Sequence, residues 1–190
     1  IWVNGEPVSV RSPRDAIAAG VCLLSENRKE EGLVLSHSSV DNFGLPNLEF
    51  YGRKGWLNSR LEQNEFDRYR DELAIKVAGP DQLAGELSGG NQQKVVLAKW
   101  LARRAHVMLF DEPTRGIDVG AKYEIYQLMN RLAGEGKAIV MVSSELPEIL
   151  GMSDRILVMK RGCLVGEVEN GPETTQKDIL ALAMEEPATV

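Results

Sequence analysis

The feature that most restricts the fold is the alternation of apolar runs with helical patterns in the second half of the chain. Residues 107–110 and 138–142 are short apolar runs typical of buried strands, and residues 119–132 between them have the apolar spacing of a helix. A strand–helix–strand order of this kind predicts neighbouring parallel strands joined by a crossover helix. We therefore expect an α/β domain with a mostly parallel sheet.

The remaining elements extend this pattern on both sides. The sequence predicts a short strand-like piece in residues 1–10 around an Asn4-Gly5 turn, helices at 13–19, 60–77 and 145–150, strands at 21–24, 156–159 and 164–168, and irregular chain at 36–56. Residues 41–104 interrupt the alternation, which predicts a helical subdomain inserted between core segments 1–40 and 105–170. Residues 171–190 are expected to form a C-terminal helix and tail.

Composition narrows the class of protein. Lys and Arg number 22 against 28 Asp and Glu, a net charge of −6, which argues against a nucleic-acid-binding face along the chain. Cys22 and Cys163 have no metal-ligand spacing and lie in apolar stretches, so both are expected to be buried free thiols in a reducing compartment. No apolar run approaches the length of about 18 residues that a transmembrane helix needs. The first residue is Ile1, and we expect the chain to begin inside a domain.

The strongest candidate for a ligand site is the LSGGNQQK stretch at residues 87–94. Ser88 can cap a helix, and Gly89 and Gly90 leave backbone N–H groups accessible at its positive end. Donors and helix dipole then point the same way, which suits a phosphate. Ser-Gly-Gly alone would favour an ordinary Ser-capped helix after a turn.

An acidic pair follows the next predicted strand. Residues 107–110 lead directly into Asp111 and Glu112, an apolar strand that delivers carboxylates at its C-terminal end. Asp111 would hold Mg²⁺ through water, and Glu112 would orient or polarise an attacking water. An acidic pair at a strand end is usually only a solvated terminus, so its value here lies in its position directly after the Gly-Gly helix.

Taken together, these motifs resemble those of ABC-type ATPases, the P-loop NTPase-like domains of ABC transporters. Residues 87–92 match the signature motif of that family, and Gly116-Ile117-Asp118 falls where it has its D-loop, with Asp118 as the matching aspartate. The chain most resembles the C-terminal ATPase half of bacterial importers for monosaccharides such as ribose, xylose, arabinose and galactose. The stretches that carry this resemblance are 25–33, 87–94, 111–122 and 143–156.

Two residues depart from the general ABC pattern. Glu26 stands where the family has its Q-loop glutamine, and Ser144 stands where it has the switch histidine. Serine can donate a hydrogen bond, but it is shorter than histidine and never cationic. Losing one such donor is expected to cost about 10²–10³ in rate. Both variations resemble the sugar-importer half and make weak hydrolysis by this half an expectation.

A third departure concerns the phosphate-binding loop. The 190 residues contain no Gly-x-x-x-x-Gly-Lys-Ser/Thr stretch, the Walker A segment that cradles the β- and γ-phosphates. In an ABC domain this loop precedes the region present here, so we expect it upstream of Ile1. The 190-residue chain alone is expected neither to bind ATP tightly nor to hydrolyse it.

The resemblance implies how the intact protein works. Two ATPase units clamp two nucleotides head to tail, so Ser88, Gly89, Gly90 and Asn91 would bind the γ-phosphate of ATP held by a second ATPase half. The implied partners are that half, a transmembrane permease contacted around Glu26 and the helical insert, and indirectly a periplasmic sugar-binding protein, with no nucleic acid. The implied location is cytoplasmic, peripheral on the inner face of the cell membrane.

Two alternatives remain beside the energy-coupling ATPase of a sugar importer. One is a non-catalytic regulatory half that lends its signature motif to a partner, which Glu26, Ser144 and the absent loop favour and the intact acidic pair disfavours. The other is a soluble ABC ATPase acting on DNA or ribosomes. That class predicts long coiled coils or a basic arm, and the sequence has neither.

Overall fold

The computed structural model describes residues 1–53 and 55–184, and the chain divides into two compact units, Ile1–Val142 and Ser143–Val190. The first unit contains, in chain order, β1 (Trp2–Val3), β2 (Glu6–Pro7), α1 (Pro13–Ala18), β3 (Val21–Leu24), a π-helical turn (Arg28–Gly32), α2 (Ser39–Gly44), α3 (Leu48–Tyr51), β4 (Gly52–Arg53), β5 (Trp56–Leu57), α4 (Ser59–Glu72), α5 (Gly89–Ala102), β6 (Val107–Asp111), α6 (Val119–Gly134) and β7 (Ala138–Val142). The strand-like piece expected around Asn4-Gly5 is an antiparallel pair, β1 and β2.

The sheet of the first unit is parallel, as the sequence predicts. Its strand order is β3-β6-β7, with Cys22 opposite Met108 and Met108 opposite Ile139. The face that carries Cys22, Met108 and Phe110 is buried, and helices α1, α5 and α6 pack against the strands. On alternate positions, Leu23, Val140 and Val142 are each at least half exposed. The α/β class is confirmed, and this sheet has one well-covered apolar face.

The inserted segment is more regular than the sequence predicts. Residues 36–56 were expected to be irregular, but they contain α2, α3 and a 3-10 turn at Leu45–Asn47. Ser38 and Asp41 form a capping box that starts α2, in which each side chain satisfies a backbone N–H of the other. Phe43 then packs between Phe66 and Tyr69, with ring centroids 5.6 Å from each. Tertiary packing of these rings outweighs the turn-forming composition.

Two further expectations were wrong in detail. The helix expected at 60–77 ends at Glu72, and Ala74 adopts a left-handed φ of 49° that an α-helix cannot continue through. Of the two cysteines expected to be buried, Cys22 is buried but Cys163 is exposed. Cys163 opens the strand that follows a tight turn at Arg161-Gly162, so the apolar stretch around it does not place it inside the core.

The second unit is built on an antiparallel hairpin. It contains α7 (Leu146–Met152), β8 (Arg155–Lys160), β9 (Cys163–Glu169) and α8 (Gln176–Met184). Ile156 and Val158 on β8 and Ile179 on α8 form its buried core. The Asn170 side chain donates to the carbonyls of Leu150 and Ser153, which ties the end of α7 to the chain after β9. The tail expected at 185–190 lies outside the described residues.

No helix among the described residues combines the length and the apolar character that crossing a bilayer requires. This matches the absence of a long apolar run in the sequence.

We predict that Phe43→Ala lowers the free energy of unfolding by about 3–5 kcal/mol, because it removes the fully buried ring at the centre of the insert's core. Urea denaturation followed by circular dichroism measures this. The matched control is Phe50→Ala, whose ring is 53% exposed and lies under the Arg103 guanidinium, and the expected loss there is about 1 kcal/mol or less. Equal losses for the two variants would show that the aromatic cluster does not stabilise the insert.

Candidate functional site

The predicted carboxylates lie at one edge of the parallel sheet. Glu26 follows β3 by two residues, Asp111 is the last residue of β6, and Glu112 comes next. Because β3 and β6 are parallel neighbours, their carboxyl ends share an edge, the usual ligand-binding edge of an open α/β sheet. Asp111 and Glu112 are half-buried, and Glu26 is exposed and forms an ion pair with Arg115.

Glu112 has an unusual backbone conformation. Its φ is +45°, in the left-handed region that residues other than glycine seldom occupy. The Glu112 N–H donates to the carbonyl of Val142 at 2.9 Å, and its own carbonyl accepts from the N–H of Arg115 at 3.1 Å. These two hydrogen bonds hold the Glu112 backbone in a fixed turn directly after β6.

The tip of α5 and the start of α6 enclose a cavity of about 240 Å³. Ser88, Gly90, Asn91 and Asp118 line it, so the structure brings the predicted signature and D-loop residues together. The Ser88 hydroxyl accepts from the Asn91 side-chain amide at 3.0 Å, and the Asn91 carbonyl oxygen accepts from the N–H of Lys76 at 2.8 Å. Both halves of the Asn91 amide are therefore engaged in positioning the tip.

Lys76 and Glu124 also line the cavity, and sequence reasoning missed both. Glu124 accepts from the ammonium of buried Lys94 at 2.7 Å, and this hydrogen bond lowers the pKa of the Glu124 carboxyl. The only sequence signal was Lys94 directly before the apolar run Val95–Ala98, because a lysine requires a partner when it is buried.

The two glycines of the tip make room for neighbouring segments of the chain. A Cβ on Gly90 would lie 2.8 Å from the Cβ of Ala121 on α6, and Gly90 is buried. A Cβ on Gly89 would lie 2.6 Å from the Arg28 guanidinium and 3.2 Å from the Gly116 carbonyl oxygen. The sequence suggested that these glycines let the backbone come close to a ligand. The structure shows that packing against neighbouring segments of the chain already requires glycine here.

Arg28 connects the tip to the segment after the acidic pair. It is only 8% exposed, and its guanidinium donates to the carbonyls of Arg115 at 3.0 Å and Gly116 at 3.4 Å and to the side chain of Gln92 at 3.4 Å. Burial lowers the pKa of Arg28 by removing its charge from water.

Asp118 has a structural role beside its position in the cavity. Its carboxylate accepts from the N–H of Ala121 at 3.0 Å and caps the N-terminus of α6.

Ser144 belongs to the second unit, where it is exposed. Its neighbour Ser143 accepts from the N–H of Glu145 at 3.0 Å and donates to Glu148. The predicted residues thus form a tip group, Ser88 to Asn91 with Asp118, and an edge group, Glu26, Asp111 and Glu112.

Comparison with known proteins assigns this arrangement to a family. A family model described as ABC transporter matches residues 2–115. The chain is 52% identical to the ribose import ATP-binding protein RbsA of Bacillus licheniformis over 183 residues, which is 96% of this chain and 37% of that protein. It is 50% identical to the protein of the same name from Bacillus subtilis, again over 96% of this chain and 37% of that protein. The chain therefore spans about 37% of the length of these curated relatives.

Solved structures agree on the fold. A dimeric ATP-binding cassette in a post-hydrolysis state with ADP and Pi aligns with a TM-score of 0.68 at 21% identity, covering 85% of this chain and 68% of that one. A nucleotide-free cassette from an ABC transporter aligns with a TM-score of 0.73 at 18% identity, covering 93% and 73%.

We predict that Gly90→Ala destabilises the protein by about 1–3 kcal/mol, because the added methyl group overpacks the contact between α5 and Ala121. Ala121→Gly removes the opposing methyl, so the double variant G90A/A121G should recover part of that loss. Thermal and urea unfolding of the four proteins gives the coupling energy, expected at about 0.5–2 kcal/mol. Strictly additive losses would mean that Gly90 is not there to accommodate α6.

Proposed function

The chain belongs to the ABC transporter family, and from this premise we propose that it is part of the energy-coupling ATPase of a bacterial importer for a monosaccharide such as ribose. The observation that carries the proposal is the grouping of Ser88, Gly90, Asn91 and Asp118 around one cavity at the tip of α5. Names of the relatives support a sugar importer, since RbsA is called a ribose import ATP-binding protein.

The tip group would bind ATP held by a second ATPase unit. The N-terminus of α5 offers backbone donors and a positive dipole end, and the exposed Ser88 hydroxyl adds a donor that the chain holds in place through Asn91. Asp118 would contact the same interface from the N-terminus of α6. In this role the tip supplies the γ-phosphate with fixed donors and leaves the other phosphate contacts to its partner.

The edge group would serve the chemistry. Glu112, fixed by its two backbone bonds, would orient the attacking water and accept its proton, a contribution of about 10²–10⁴-fold. Asp111 fits a Mg²⁺ site of the kind that uses one carboxylate together with waters and phosphate oxygens. The ion would neutralise charge on the phosphates.

Glu26 and Ser144 would set the rate of ATP hydrolysis by this unit. Glu26 is paired with Arg115, so its carboxylate is directed to the loop after Glu112. Ser144 would replace a longer, chargeable side chain with a short hydroxyl donor. Both substitutions favour slow hydrolysis by this unit.

The proposed partners are a second ATPase half and a transmembrane permease, with a periplasmic sugar-binding protein acting through the permease. The proposed location is the cytoplasmic side of the cell membrane. We also propose that the 190 residues alone do not hydrolyse ATP, because they lack the Gly-x-x-x-x-Gly-Lys stretch that holds the β- and γ-phosphates.

A second function remains open, a non-catalytic half that lends its tip to a partner. The observation in its favour is the pairing of Glu26 with Arg115 together with serine at position 144. This half would need the tip group but would not need Glu112.

We predict that Glu112→Gln in the full-length protein, reconstituted with its permease, lowers the part of the ATP turnover that this unit contributes by about 10²-fold or more, because glutamine cannot accept the water's proton. Phosphate release measures the rate. Glu135→Gln, an exposed acid at the end of α6, is the matched control and should leave turnover unchanged.

Ser88→Arg separates the two functions. Ser88 is exposed, so arginine has room but obstructs the tip and also removes the N-cap of α5, and turnover should fall in either case. Loss with Ser88→Arg but unchanged turnover with Glu112→Gln would establish the non-catalytic half. Unchanged turnover in both variants would rule out the proposed use of this cavity.

A further inference from the structure

The cavity at the tip of α5, called the tip cavity below, is lined by a lysine that lies outside the signature motif. Among the described residues that line it, Lys76 is the basic one, beside the acids Asp118 and Glu124. Lys76 is exposed, whereas Ile75 directly before it is buried. The backbone is thus anchored while the lysine side chain reaches solvent, where it is a flexible point charge with three N–H donors.

Backbone hydrogen bonds fix the position from which the Lys76 side chain starts. The N–H of Ile75 donates to the carbonyl of Arg70 at 2.8 Å, and the N–H of Lys76 donates to the Asn91 side chain at 2.8 Å. Asn91 in turn donates to the Ser88 hydroxyl at 3.0 Å. Lys76 therefore belongs to the hydrogen-bonded chain that positions the tip. Its part in that chain is made by the backbone, so a change of its side chain leaves the bond to Asn91 in place.

Both acids of the tip cavity have partners within the fold. Glu124 pairs with the ammonium of Lys94 at 2.7 Å, and the Asp118 carboxylate caps the N-terminus of α6, where the helix dipole favours negative charge. The hydrogen bond and charge of Lys94, and to a smaller extent the charge of Lys76, lower the pKa of the Glu124 carboxyl. Since Lys94 already neutralises Glu124, the ammonium of Lys76 remains to meet an anion in this cavity.

We propose that Lys76 is a further ATP-binding residue of the tip, whose ammonium binds the phosphate chain of the ATP held by the second ATPase unit. This inference rests on the proposed function of the tip group. A triphosphate that approaches the tip meets the carboxylates of Asp118 and Glu124, and a mobile ammonium offsets that repulsion. Ser88 and the backbone of α5 supply fixed donors, and Lys76 supplies charge.

The test measures ATP turnover of the full-length protein with its permease over a range of ATP concentrations. Lys76→Met removes the charge and keeps an unbranched side chain. It should raise the KM for ATP about 3- to 10-fold and change kcat less than about 2-fold, because the ammonium contacts the bound nucleotide and not the attacking water. Lys76→Arg keeps the charge, and its KM should stay within about 2-fold of the unmodified protein.

Two further measurements separate a charge effect from a structural one. Arg14→Met removes an exposed positive charge on α1, outside the tip cavity, and this matched control should change neither KM nor kcat. Raising the salt concentration should raise the KM of the unmodified protein more steeply than that of Lys76→Met, because the variant lacks the charge that salt screens. A residue that only supported the fold would leave this salt dependence unchanged.

The outcomes distinguish this inference from the proposed function. An unchanged KM in Lys76→Met, together with turnover lost in Ser88→Arg, would overturn the role of Lys76 and leave the proposed use of the tip standing. Unchanged kinetics in both variants would overturn the two together. A KM raised equally by methionine and arginine at position 76 would show that the shape of the side chain matters and its charge does not, which also overturns the inference.

Discussion

The geometry of the first unit depends on one buried guanidinium. Arg28 stands in the π-helical turn after β3 and donates to two carbonyls of the loop after Glu112 and to Gln92 in the first turns of α5. A charge at this depth is tolerated only when its donors are satisfied, so moving any of the three segments leaves part of the guanidinium unbonded. The acidic edge and the signature tip are thereby held in one fixed relation.

Close packing around α5 also explains why Gly89 and Gly90 are adjacent. Gly89 leaves room for Arg28 and the Gly116 carbonyl, and Gly90 leaves room for Ala121. A larger residue at either position would push α5 away from the segments that place Asp118 beside Ser88. Packing and ligand access therefore select the same residue type here, and motif reasoning alone cannot separate the two causes.

Sequence patterns predicted the parts of this protein that are local. The strands at 21–24, 107–110 and 138–142, the capping role of Ser88, and the position of Asp111-Glu112 after a buried strand follow from periodicity and cap chemistry. The missed features depend on contacts between distant residues. Helix α2 is stabilised by rings 20 or more residues away, and the bond from Lys76 to Asn91 joins two segments that no motif connects. The ion pair between Lys94 and Glu124 could not be predicted either, because it also joins residues that are distant in the sequence.

The positions of the tip and edge groups bear on the proposal that this domain acts with a second ATPase unit. The cavity at the tip is lined by residues of α5, α6 and the chain around Lys76, and neither Asp111 nor Glu112 is among them. Arg28 and the glycine contacts hold the tip cavity and the acidic edge in a fixed relation in which they remain separate. If both groups act on the same nucleotide, they must come from two units that face each other. Hydrolysis would then require the two units to close, which is the property that a transporter needs to convert ATP turnover into movement.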